Sequence, residues 1–136
     1  MSDTLTRQQR SWTMSQVRSH DTKPELAVRS LLHRMGYRFT LRRKDLPGNP
    51  DVVLPQHRTV IFVHGCFWHR HAKCRRNSMP ATHKRYWIEK FARNVRRDRK
   101  ILVQLRRLGW QVVVVWECQI ETHPAKVQTR LEGILG

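Results

Sequence analysis

Negative charge is what this sequence has least of. Ten Asp and Glu stand against 27 Lys and Arg in 136 residues, giving a net charge of +17. A chain so unbalanced suits a polyanionic partner, and nucleic acid is the first candidate. A membrane surface fits less well, because the basic residues are not gathered on one amphipathic helix. Long apolar runs are also missing. No stretch approaches the roughly 20 residues that span a bilayer. The start, Met1-Ser2-Asp3-Thr4, lacks the apolar segment of a secretory signal. These absences exclude an integral membrane protein and a Sec-exported one, and they place the chain in the cytoplasm. Cysteine is sparse and odd in number: Cys66, Cys74 and Cys118. An odd count in an unexported chain argues against a disulfide framework. It leaves buried thiols, a reactive thiol or metal ligands. Internal repeats and low-complexity segments are absent too. The 39% apolar content suffices for the core of one domain of this length.

Residues 1–20 are largely polar, with Trp12, Met14 and Val17 as candidates to bury. They read as a short helix or an arm that orders on binding, ahead of a single domain over 21–136. Thr22-Lys23-Pro24-Glu25 is a capping box. Behind it Ala27, Val28, Leu31, Leu32 and Met35 make one apolar helix face, and Gly36 ends the helix. Three short strands are predicted at 37–41, 51–54 and 59–64, the third buried on both faces. A turn at 47–50 precedes the second strand, and a hairpin turn at 55–58 joins it to the third. An irregular loop spans 65–82. A basic helix follows over about 83–108, its inward side formed by Ile88, Phe91, Val95, Leu102, Leu105 and Leu108. That side is weak in the turn at 96–100. Four consecutive valines mark a strand at 110–116, and a last helix starts at Pro124 and carries Val127, Leu131 and Ile134 inward. Strand, helix and strand from 59 to 116 form a parallel crossover unit. The fold class is therefore α/β, a mixed central sheet flanked by helices.

Asp51 opens a strand after a Pro- and Gly-rich turn, and His64 closes the neighbouring one. If the two strands pair, both side chains converge at one end of the sheet, where a carboxylate can hold Mg²⁺ and a histidine can face a scissile phosphate. Taken alone, the pair is better explained by Asp51 as a turn cap and His64 as a core histidine. The eleven residues from His64 to Cys74 hold three His and two Cys. Cys66, His71 and Cys74, with Cys118 from the end of the last strand, make a Cys₃His zinc set, although His69 could replace His71. Phe67 and Trp68 either wedge between bases or cover that metal. Of Tyr86 and Trp87, one faces the core and the other solvent or a ligand. Met14 is a wedge from the arm or a core filler. Residues 84–107 hold ten Lys and Arg against Glu89 and Asp98, an imbalance that points to phosphate contacts. Asp98 is a local ion-pair partner or orients a histidine.

These residues resemble the very-short-patch-repair (Vsr) DNA mismatch endonuclease family. The marks are Asp21-Thr22 with Glu25, the run from Leu46 to Asp51, and Val60 through His69 with its Gly-Cys-Phe-Trp-His block. Tyr86 to Lys90, Asn94 to Asp98, and Leu108 through Cys118 complete them. The resemblance implies a restriction-endonuclease-like core with a structural zinc site. It implies Mg²⁺-dependent nicking of one strand 5′ to the T of a T:G mismatch in double-stranded DNA. A DNA cytosine methyltransferase is then the functional companion, other repair proteins are further candidates, and the chain acts as a monomer on nucleoid DNA. By the same resemblance Asp51 and the Val63 carbonyl ligate Mg²⁺. His69 is general base on the attacking water, oriented by Asp98. His64 assists at the phosphate, and Glu25 meets the metal through water. Phe67, Trp68 and Trp87 intercalate, Met14 wedges from the opposite groove, and Lys90 and Asn94 lie by the mismatched pair. Cys66, His71, Cys74 and Cys118 bind Zn²⁺. Three departures stand out: Val63 replaces a threonine, one more residue separates His71 from Cys74, and Phe62 and His64 occupy the Glu-x-Lys places of related nucleases. Two other readings compete, a zinc-stabilised DNA-binding module without catalysis and a restriction-type endonuclease cutting matched DNA.

Overall fold

The computed structural model describes residues 21–41 and 43–136. The arm expected over 1–20, with Met14, lies outside the described residues. Helix α1 (Lys23–Met35) starts where the sequence signals it. Thr22 Oγ accepts the Glu25 N–H at 3.4 Å, with Pro24 in the first turn. The return bond differs from a standard capping box: Glu25 Oε2 accepts the N–H of Asp21, at 2.9 Å, rather than that of Thr22. Gly36, at φ 86°, ends the helix and lets Tyr37 N–H close on Leu32 O.

Strands β1 (Val52–Leu54) and β2 (Thr59–His64) pair antiparallel through Val53↔Val60. A 3₁₀ turn over Pro55–His57 joins them, with Arg58 in the left-handed region. Strand β3 (Gln111–Trp116) runs parallel to β2 from Thr59↔Gln111 to His64↔Trp116, completing a mixed sheet of order β1-β2-β3. Helix α2 (Lys84–Arg107) makes the crossover. Helices α3 (Glu117–Thr122) and α4 (Pro124–Leu135) close the chain.

The two faces of the sheet carry separate cores. Val52, Leu54, Ile61, Val63, Val113 and Val115 meet α1, α3 and α4 through Leu32, Ile120 and Leu131. Val53, Val60 and Phe62 meet Leu105 of α2, with Leu46 and Trp110. Every residue of β2 is buried, as its unbroken apolar run predicts.

Three expectations need correction. Residues 37–41 form no strand. Thr40 alone pairs, by two backbone bonds to Val53, while Tyr37, Phe39 and Leu41 pack on the core without extending the ladder. Helix α3 was not expected: Gln119 Oε1 accepts the Trp116 N–H at 3.1 Å and so turns the end of β3 straight into a helix. The inward side of α2 keeps Phe91 and Leu105 of the predicted one but differs from it at both ends. Ile88 and Leu108 are more than half exposed, and Trp87, Phe91 and Leu105 are buried. The true stripe, 87–91–94–98–101–105, keeps helical spacing throughout but passes through Asn94 and Asp98. The weak middle turn of the sequence is thus an inward face that is polar.

Candidate active site and metal centre

The C-terminal ends of β2 and β3, the start of β1 and the first turn of α1 meet at one end of the sheet. Between them and α2 lies a cleft of about 790 Å³, lined by Glu25, Asp51, His64, His69 and Asp98, with Arg29, Lys44 and Arg97 as its cations. Gly48 makes the approach possible. It sits at φ 75°, and a Cβ there would fall 2.5 Å from the Ile101 side chain of α2.

Asp51 is tethered through one oxygen: the Val63 N–H donates to Oδ2 at 2.7 Å. Burial pushes its carboxyl up to about 7; the Val63 hydrogen bond opposes this, and the neighbouring Glu25 carboxylate adds to it. Two carboxyl groups buried side by side repel when ionised, and a divalent cation between them removes that repulsion. The donor chemistry therefore fits Mg²⁺. Glu25 is 3% exposed, far more buried than a capping role needs, with Oε2 held by Asp21 and by Arg29. The side chain of Val63 lies in the apolar core.

His69 Nδ1 donates to Asp98 Oδ2 at 2.7 Å, because a carboxylate oxygen can only accept. That fixes the tautomer and leaves Nε2 as the acceptor. His64 stacks on His69 with centroids 3.9 Å apart and rings 4° from parallel. Burial, then its electrostatic coupling to the neighbouring His69, lowers its pKa to about 4, so at neutral pH it is an uncharged imidazole. His64, His69 and Asp98 have donor atoms close enough for a metal. Parallel stacking nevertheless aims both ring lone pairs alongside each other rather than at one point, so the geometry suits proton handling better than chelation.

A second cluster holds Cys66, His71, Cys74 and Cys118, with all donor atoms within 4.8 Å of one another. His71 Nδ1 lies 3.6 Å from Cys66 Sγ and 3.4 Å from Cys118 Sγ. Zinc bonded tetrahedrally to sulfur and nitrogen would separate those atoms by about 3.6 Å, so the set fits Zn²⁺. Of the two histidines left open by the sequence, His71 joins the thiols and His69 faces Asp98. Burial, then the other thiols, push Cys66 up to about 12, the behaviour of thiols that ionise only against a cation. Arg70 and Lys73, both at positive φ, bracket His71, and a turn from His71 O to Cys74 N brings Cys74 back to the cluster. The cover over this cluster is Trp116, stacked on His71 at 4.2 Å. Glu117 accepts the Cys66 N–H.

Phe67 and Trp68 instead pack edge to face, and Phe67 also meets Trp87 and Phe91 of α2. Trp87 is buried and Tyr86 exposed, the division expected of that pair. Lys90 lies over the Trp68 ring, and Asn94 Nδ2 donates to Trp68 O. Sequence reasoning missed three contributors. Phe91 was assigned to the core alone. Arg70 stands over the Phe91 ring at 4.1 Å. Arg29 was legible as the i+4 partner of Glu25.

Comparison with known proteins agrees with this geometry. Residues 2–76 match the family model described as DNA mismatch endonuclease Vsr. The chain is 50% identical to the type II nicking enzyme V.XorIIP of Xanthomonas oryzae, over 99% of this chain and 98% of that one. It is 42% identical to the DNA mismatch endonuclease Vsr of Escherichia coli, over 88% of this chain and 76% of that one. Among solved structures, the catalytic domain of the homing endonuclease I-Bth0305I superposes with a TM-score of 0.58 at 19% identity, over 84% of this chain and 94% of that one. That likeness supports the restriction-endonuclease-like core. The sequence matches agree with the cleft and its side chains: the chain is a DNA endonuclease and belongs to the Vsr DNA mismatch endonuclease family.

Proposed function

We propose that this endonuclease nicks one strand of double-stranded DNA 5′ to the T of a T:G mismatch, with Mg²⁺ in the cleft and Zn²⁺ in the Cys₃His cluster. The observation that carries the reading is the pairing, in one cleft, of two buried carboxyl groups with the His69–Asp98 dyad. Asp51, the Val63 carbonyl and, through water, Glu25 would hold Mg²⁺. Bound there, Mg²⁺ supplies Lewis-acid stabilisation of the phosphate charge. His69, its Nδ1 proton committed to Asp98, takes the proton of the attacking water at Nε2. His64, uncharged, assists at the phosphate by hydrogen bonding. Met14, Phe67, Trp68 and Trp87 enter the base stack beside the mismatch, where Lys90 and Asn94 lie. Trp87 is 6% exposed, so DNA binding must open the aromatic cluster before it can stack on a base. Residues 1–20 serve as the DNA-contacting arm and 21–136 as one endonuclease domain. A monomer suffices for a single nick. The enzyme works on nucleoid DNA beside a DNA cytosine methyltransferase, whose product yields T:G pairs on deamination, and it hands its nick to other repair proteins.

The test is strand-resolved cleavage of labelled duplexes carrying T:G or C:G in varied flanking sequence, with and without added Mg²⁺. One Mg²⁺-dependent nick 5′ to the mismatched T is expected. Cutting of both strands of matched DNA would instead make it a restriction-type enzyme. Tight binding with no cleavage would leave a zinc-stabilised binding module. A salt titration checks the role of α2, whose ten Lys and Arg run along one helix. If it tracks about six phosphates, the log–log slope of affinity against salt is about −5. A flat response would remove α2 from the interface.

A further inference from the structure

Arg29 belongs to no recognised motif, yet it lines the cleft with Asp51 and His69. Its guanidinium donates to Asp21 Oδ1 at 2.7 Å and to Glu25 Oε2 at 3.2 Å, and its side chain is 13% exposed. Asp21, Glu25 and Arg29 stand four residues apart in turn, so α1 presents Glu25 and Arg29 on one face while Asp21 closes it from before the cap. Asp21 adopts a left-handed backbone, unusual for a residue other than glycine, and from there its N–H also reaches Glu25 Oε2. One carboxylate oxygen of Glu25 thus takes two donors. Asp51 is tied in the same manner, one oxygen to the Val63 N–H. Stability does not explain such an arrangement. A desolvated arginine holding carboxylates is commonly no more stable than an apolar replacement of equal volume. Fixing the second oxygen of Glu25 in space does explain it.

We propose that Arg29 is a positioning residue of the nicking reaction, acting through Glu25 by holding its carboxylate beside Asp51. The inference rests on the reading of Glu25 and Asp51 as the metal-facing pair. Arg29 does its work on protein carboxylates, so it contributes to turnover and not to DNA affinity.

A double-mutant cycle on the zinc-loaded full chain, in steady-state nicking of the T:G duplex, tests this. Arg29→Ala is expected to slow nicking about tenfold with KM for DNA changed less than about twofold. Arg29→Lys, which can hold one carboxylate, recovers part of the rate. In a Glu25→Gln background, Arg29→Ala costs less than about twofold, because its route of action is already gone. A second readout uses neither DNA nor added Mg²⁺. The Asp21 amide proton, bonded to Glu25 Oε2, moves upfield in Arg29→Ala, towards its position in Glu25→Gln. An equal cost in both backgrounds, a raised KM at unchanged kcat, or an unmoved Asp21 amide overturns the role of Arg29. A wild-type chain that nicks no duplex overturns the nicking reading instead, and the Asp21 amide still decides whether Arg29 holds Glu25.

Discussion

Asp51→Asn is expected to abolish nicking and, in Mg²⁺-free buffer above neutral pH, to make the protein more stable. The loss of activity is on the order of a thousandfold or more, since the variant removes a ligand charge from the group that stabilises the phosphate. The gain in stability follows from the position of the carboxyl. Its pKa is raised from 3.8 to about 7, chiefly by burial. The folded state therefore binds a proton that the unfolded state has lost. The stabilisation from that proton is complete below about pH 4 and disappears as pH rises through about 7. Above neutrality the ionised Asp51 sits at an upper limit of about 4 kcal/mol against folding. Asparagine keeps an oxygen for the Val63 N–H and carries no charge, so it escapes that cost. Thermal melts in Mg²⁺-free buffer should show wild-type stability falling between about pH 4 and 7 by more than that of the variant. Added Mg²⁺ should stabilise the wild type at pH 8 and leave the variant unmoved. A variant that melts at or below the wild type at pH 8 would mean that Asp51 holds the fold rather than the metal.

Removing the metal of the Cys₃His cluster is expected to unfold the protein. Metal analysis should give about one Zn²⁺ per chain, for one four-donor site. Two of the three bridging thiols are only half-buried and Cys66 ionises poorly without a cation, so the cluster has little cohesion of its own. The loop around it also holds Arg70 and Lys73 in left-handed conformations, at about 1–2 kcal/mol each. Structural zinc is worth about 10–16 kcal/mol in small domains, as much as the whole stability of a chain this size. Chelation should therefore abolish the cooperative melt, and restored Zn²⁺ should bring it back. Cys118→Ser should do the same by untying α3 from the loop. A cooperative melt in zinc-free protein would reduce the cluster to three ordinary thiols and a histidine.

Much of this molecule is legible in its residues, because most of its elements obey local rules. The cap at Thr22, the uninterrupted apolar run of β2 and the four valines of β3 each leave one solution for the chain. Reading fails where a tertiary contact decides. Residues 37–41 alternate as a strand should, but alternation reports which side chains face the core and says nothing of how many backbone pairs form. Helix α3 depends on a single side-chain bond from Gln119. The stripe of α2 was right at Phe91 and Leu105 but missed its polar middle, because polar residues were assumed to point outward. Asn94 and Asp98 break that assumption, and they do so beside Trp68 and His69. A break in an apolar stripe is therefore itself a signal of a site. Whether His69 or His71 joined the thiols was undecidable from spacing, since a tight loop turns adjacent positions to opposite sides.

The two halves of the cleft differ in how far apart their parts lie along the chain, and this sets the order in which they form. Asp51 and Val63 are 12 residues apart, within one hairpin. His69 and Asp98 are 29 apart, and Thr59 meets Gln111 across 52. Closing a short loop is entropically cheap, and distant contacts wait for it. By loop length, the Asp51–Val63 contact is therefore expected to form early in folding, whereas the imidazole half waits until α2 has docked and β3 has joined the sheet. A partly folded chain, already strongly basic, would hold the carboxylate without the His69–Asp98 pair, so it is expected to bind DNA before it is able to cut it.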